Sequence, residues 1–182
     1  MVGLLYRDNL AIQQITEWIA EGRLGASLAS RMASFEQAHV ADDPEHNERV
    51  MAYMRKGSLM LFMGGHYADA LAMTYASTPV SVKGWATKTR PNLPQANHWI
   101  GIVRFEDGGM ATIEMGWMYP SNELDNGSPI TQPSVLEFLG DKGVARYNFT
   151  NGRLRTSDES GTKIIQMPRA QNSTPATLGQ VR

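Results

Sequence analysis

The residues best suited to chemistry are His66 and Asp69, in the run Gly64-Gly65-His66-Tyr67-Ala68-Asp69-Ala70-Leu71. An imidazole can take up or release a proton near neutral pH, and a carboxylate beside it can orient the ring or hold a substrate hydroxyl. Three residues apart on a helix, the two side chains fall on one face and can interact. The adjacent glycines ahead of an apolar, helix-like segment would let a backbone or a ligand come close. A plainer reading fits the same spacing: a cap and a satisfied polar pair near a helix start. The other histidines, His39, His46 and His98, show no tight metal-ligand spacing. A metal-dependent hydrolase or isomerase using His39, His66, Asp69 and nearby acids is a minor alternative. Asp42, Asp43, Glu45 and His46 read as a solvated loop rather than a metal site.

At 182 residues the chain fits one domain with a sizeable core. Hydrophobic residues are 42% and charged residues 19% of it, as in soluble globular proteins. A net charge of −1 makes no electrostatic case for nucleic acid or an anionic membrane. With no cysteine there is no disulfide, thiolate nucleophile or thiolate metal site. The longest apolar run, residues 59–63, is far short of the ~20 residues a bilayer requires. Arg7 and Asp8 interrupt any signal-peptide layout. The cytoplasm is the expected location.

These side chains need elements to hold them. Residues 2–7 read as a short strand. Asn9 is a plausible N-cap, and Leu10, Ala11, Ile12, Ile15, Trp18 and Ile19 recur at helical spacing, predicting a helix over 9–21 that stops at Gly22. Residues 24–40 favour a strand with an irregular end, and 42–48 an exposed loop or short helix start. The spacing predicts a second helix over 65–77, ended by Pro79, with Ala68, Leu71, Ala72 and Tyr75 as its buried stripe. Residues 80–87 alternate as a strand does. Strands at 99–106 and 110–117 flank the hairpin signal Asp107-Gly108-Gly109. Residues 121–133 read as a long surface loop. Strands at 135–139, 144–149, 153–157 and 163–167 form an antiparallel meander, and a polar tail fills 168–182. Helices early and strands late give an α+β fold with a large, mainly antiparallel sheet. Two helices leave one sheet face short of cover, and that face would meet another subunit or domain.

No GxGxxG, P-loop lysine or GxSxG elbow is present. The order of features nonetheless resembles the C-terminal, substrate-side domain of the Gfo/Idh/MocA family of NAD(P)-dependent oxidoreductases, which act mostly on sugars, inositols and related polyols. Four stretches carry the likeness: Val2-Gly3-Leu4-Leu5-Tyr6-Arg7, Ile19-Ala20-Glu21-Gly22-Arg23-Leu24-Gly25, Gly65-His66-Tyr67-Ala68-Asp69, and residues 102–115 with their Asp107-Gly108-Gly109 turn. Together they span residues 2–167.

The resemblance implies an open sheet of about six to nine strands with helices on one face, of the type of the C-terminal domain of glyceraldehyde-3-phosphate dehydrogenase. The other face would serve oligomer contact. His66 would take part in proton transfer at the substrate hydroxyl or carbonyl, and Asp69 would be the acid on the same face. A helix N-terminus near Gly65 would favour the neutral imidazole. Arg7, Trp117 and Tyr119 would line the sugar pocket, with His39 a looser candidate. Trp117 is equally suited to sheet packing, and Arg7 to being a surface charge. NAD or NADP would be bound mainly by a Rossmann domain outside residues 1–182. That domain supplies the family's Glu-Lys-Pro lysine, so this chain is not expected to transfer hydride alone. Phe62 stands where many members have an Asp four residues before the histidine. A non-catalytic binding or oligomerisation module that keeps the fold is the alternative.

Overall fold

A computed structural model describes residues 4, 6–26, 29–39, 44–89, 91, 93–120 and 134–168. The side chains of His39, His46, Phe62 and Tyr119, the expected loop at 121–133 and the tail after 168 lie outside the described residues. So do residues 2, 3 and 5 of the expected first strand; of the rest, Leu4 is not in a strand and Tyr6 and Arg7 form a turn with Asp8.

The first helix, α1 (Leu10–Ala20), forms as its periodicity predicts. The Asn9 side-chain oxygen accepts from the backbone N–H of Ala11 at 3.0 Å and of Ile12 at 3.2 Å, satisfying two free donors of the first turn. Ala11, Ile12, Ile15 and Trp18 are buried. Gly22 ends the helix at φ +70°, a backbone state that suits glycine. Strand β1 (Ala29–His39) follows.

Two expectations about the helices are corrected. Residues 42–48 are not simply a loop or short start: α2 (Pro44–Lys56) runs for 13 residues. It opens on a proline suited to the first helical position, with Glu45 in its first turn and Arg55 and Lys56 in its last, which complement the helix dipole. Only a narrow stripe including Val50 and Met54 is buried, so its apolar signal in the sequence is weak. Helix α3 (Leu59–Tyr75) starts earlier than residue 65, capped by Ser58, whose hydroxyl accepts from Leu61 N–H at 3.1 Å. Gly64 and Gly65 therefore lie inside the helix rather than at its entrance. The buried stripe is Gly64, Tyr67, Ala70, Leu71, Thr74 and Tyr75, while Ala68 and Ala72 are exposed. The long apolar stretch before Gly64 had hidden the true helix start.

The remaining strands are β2 (Pro79–Thr87), β3 (His98–Phe105), β4 (Met110–Pro120), β5 (Val135–Leu139), β6 (Gly143–Asn148), β7 (Arg153–Asp158) and β8 (Gly161–Gln166). They join β1 in one eight-stranded sheet of order β2-β3-β4-β1-β5-β6-β7-β8. The β1/β4 pair is parallel and every other pair antiparallel. The α+β class and open, mainly antiparallel sheet are as expected, with three helices in place of two.

Register separates the two faces. The row Gly101, Ile113, Met32, Leu136, Tyr147 and Leu154 runs across six strands on the helix side. Met32, Leu136, Tyr147 and Leu154 are at most 1% exposed, and they form the core with α1 and α3. The next row lies on the open face: Lys83, Ile102, Thr112, Arg31, Glu137, Arg146, Arg155 and Ile164. Alternation of this kind is what a half-covered sheet requires. A Cβ at Gly64 would crowd the Met60 sulfur, one turn earlier in α3, at 2.5 Å, and would meet the Met115 sulfur of β4 at an ordinary contact distance of 3.8 Å.

Candidate functional site

His66 lies two turns into α3, and Asp69 follows one turn later on the same flank. That flank faces the turn formed by Tyr6, Arg7 and Asp8. The Arg7 guanidinium donates twice to Asp69, from Nε to Oδ2 at 3.0 Å and from Nη2 to Oδ1 at 2.7 Å. This is the forked geometry that matches a carboxylate. Hydrogen bonding from Arg7 holds the Asp69 carboxyl below the usual carboxylate range, against a smaller opposing effect of burial. Tyr6 stacks on Tyr67 at 5.4 Å between ring centroids, and Gln13 of α1 donates to the Arg7 carbonyl at 2.9 Å.

His66 differs from both neighbours. Its Nδ1 is buried and, among the described residues, has no hydrogen-bond partner. Native proteins rarely leave such an atom unsatisfied outside functional positions or water sites. The expected help from a helix N-terminus does not apply, because that field fades within the first turn and His66 lies beyond it.

The structure thus brings Arg7, Asp69 and His66 together. Trp117 belongs to the covered face of the sheet. It is 3% exposed, and its ring meets Trp99 edge-on at 6.4 Å between centroids. Its backbone is bonded on both sides to Asn97, and its indole Nε1 is buried without a partner. His39 and Tyr119 sit at the same end of the β1/β4 pair, where Gln37 is in register with Tyr119 and His39 with Pro120. Phe62 occupies α3 one turn before His66. Among the described residues, no three His, Asp or Glu side chains gather as a metal site would require.

A second cluster was missed in the sequence. On the open face, Glu114 Oε2 accepts from Arg31 at 2.8 Å, and Glu114 Oε1 lies 3.0 Å from His98 Nε2. The three residues come from β4, β1 and β3, so no local spacing links them. Their one signal was that each is a titratable residue inside a strand.

A model of the GFO/IDH/MocA C-terminal domain matches residues 12–146. The chain belongs to this family. No curated protein matches it. Solved structures share the fold at low identity. An oxidoreductase from Agrobacterium radiobacter, in complex with NAD+, L-tartaric acid and magnesium, is 14% identical with a TM-score of 0.70, over 93% of this chain and 46% of that one. An inositol dehydrogenase homologue from Azotobacter vinelandii, complexed with NAD+, is 16% identical with a TM-score of 0.70, over 91% and 43%. Levoglucosan dehydrogenase, complexed with NADH and levoglucosan, is 18% identical with a TM-score of 0.68, over 93% and 47%. This member of the family therefore spans less than half the length of each of these proteins. The residues described here do not fit a dinucleotide. Of the adjacent glycine pairs, Gly64-Gly65 stands inside α3, where the amides belong to the helix, and Gly108-Gly109 lies in the β3–β4 hairpin, so neither opens a helix onto a pyrophosphate. No described helix is long and apolar enough to cross a membrane.

Proposed function

We propose that this chain is the substrate-binding and oligomerisation half of an NAD(P)-dependent oxidoreductase acting on a CH–OH group of a sugar or polyol. The observation that carries it is the unpartnered Nδ1 of His66, on the flank of α3 beside an ordered Asp69, in a member of this family. NAD or NADP, bound by a domain outside this chain, supplies the hydride acceptor. His66 holds or accepts the proton of the substrate hydroxyl, and Asp69 stands one turn away to steady that end of the site. Arg7, Trp117 and the positions of His39 and Tyr119 at the ends of β1 and β4 are the ones proposed to bind the substrate.

The open sheet face is proposed to meet a second copy of the chain. It carries exposed Trp85, Met110, Leu139, Val144 and Ile164 among its charges, more apolar surface than a monomer keeps uncovered without reason. Sedimentation should find an oligomer that a Val144→Asp, Ile164→Asp double variant dissociates; an unchanged monomer in both would sink this part.

The function is tested by joining the chain to a Rossmann domain of this family and following NAD(P)H formation on a panel of polyols. His66→Ala should lower the rate ~100-fold or more. A different reading rests on Phe62, which cannot share a proton where many relatives have a carboxylate: the chain would then be a binding module that has kept the fold. Under that reading His66→Ala leaves ligand binding and assembly intact, and no polyol is oxidised.

A further inference from the structure

Two consecutive residues of the N-terminal turn grip α3 just after His66. Tyr6 stacks on Tyr67, and Arg7 takes both oxygens of Asp69. Gln13 in turn fixes the Arg7 carbonyl from α1. A forked guanidinium–carboxylate pair has a defined orientation as well as charge, so this contact sets where the Asp69 carboxylate points.

The chain contains its own contrast. Glu114 divides its oxygens, one to Arg31 and one to His98. Asp69 gives both of its oxygens to Arg7, and His66 Nδ1 is left without a partner. A histidine three residues before a carboxylate on a helix is within its reach. What separates the two clusters is how the arginine binds.

We propose that Arg7 is a positioning residue: by engaging both oxygens of Asp69 it fixes the turn of α3 that carries His66 and keeps that carboxylate off the imidazole. The inference rests on His66 as the proton-transfer group and gives Arg7 and Asp69 one joint role. The charges bearing on this turn are Asp69 on α3, and Arg7 with its exposed neighbour Asp8 on the N-terminal turn. Helix α1 presents Gln13 and Thr16 on this side, and β4 presents Ala111, Ile113 and Met115 beneath α3, all uncharged. Loss of Arg7 leaves one negative charge a single turn from the His66 ring and free to bind it.

The test follows the histidine ring protons of the 182-residue chain by NMR across pH, in the wild type, Arg7→Gln, Arg7→Lys, Asp69→Asn and the Arg7→Gln, Asp69→Asn double variant. Arg7→Gln should move the His66 midpoint to higher pH by on the order of half a unit or more. Arg7→Lys should move it less, because a lysine keeps the charge without the fork. The double variant should reverse the shift, and His98 should not respond in any of them. An unmoved His66 in Arg7→Gln, or a shift that survives in the double variant, would overturn the proposal. The two layers fail separately. A failed titration removes the role of Arg7 and leaves catalysis by His66 standing. A harmless His66→Ala in the joined enzyme removes the catalysis and leaves the clamp.

Discussion

Two clusters in this chain are made of the same three parts, an arginine, a carboxylate and a histidine, and they are wired differently. Arg31, Glu114 and His98 stand on three adjacent strands of the open sheet face, with the carboxylate between two partners. Arg7, Asp69 and His66 join a turn to a helix flank, with the carboxylate committed to the arginine and the histidine left over. The first arrangement satisfies its members and so suits a structural role. The second keeps a titratable group unengaged, which is what a proton-transfer site requires. Composition alone would not tell them apart. The bonding does.

The largest effect expected is on catalysis. In the enzyme joined to its cofactor domain, His66→Ala should cost ~100-fold or more in kcat, whereas His98→Ala should leave kcat within a few-fold. Equal losses from both would erase the distinction between the clusters. Next is stability. Glu114→Ala strands Arg31 and His98, and after allowing for their partial exposure should cost about 1 kcal/mol in urea unfolding. Asp69→Asn should cost less, because Arg7, 61% exposed at its side chain, returns readily to water.

The pH response follows from the same pairs. Arg7 hydrogen bonding holds Asp69 below its ordinary range. Burial pushes Glu114 up, but hydrogen bonds from Arg31 and His98, with their charges, outweigh it and hold it below as well. A carboxylate depressed on folding adds stability above its unfolded pKa, and that stability disappears as pH falls through the folded value. The chain should therefore lose stability on acidification below about pH 4. Glu114→Gln should flatten the acid limb of a stability–pH curve more than Asp69→Asn does; the reverse order would mean the helix-flank pair is the stronger one. The smallest effect concerns the helix that carries the unengaged histidine. A Cβ at Gly65 would meet nothing within 4 Å, so Gly65→Ala should stabilise by about 0.5–1 kcal/mol, seen as a small rise in Tm.

Much of the fold was legible because its signals are local. Asn9 ahead of a 3.6-residue apolar pattern gave α1, and Asp107-Gly108-Gly109 gave the β3–β4 hairpin. In that hairpin Gly108 takes φ +89° and the Asp107 side chain accepts from Gly109 N–H at 2.9 Å. The strand meander was marked by Asn151-Gly152 and Ser160-Gly161. Helix α2 was hidden because it buries so narrow a stripe. The start of α3 was hidden because residues 59–63 are apolar on every side and carry no period, and the glycine pair looked like a boundary. His66 and Asp69 were legible as a pair through their spacing, but the fork that Arg7 makes with Asp69, 62 residues away, was not.

By itself the sequence determined the class of fold, the order of strands β1 to β8 and the histidine–carboxylate spacing, because caps, turns and periodicity act within a few residues. Only the tertiary structure decided which arginine meets which carboxylate and which histidine keeps a free nitrogen. Those outcomes depend on chain segments 16 to 83 residues apart meeting at hydrogen-bond distance, and no local pattern records that.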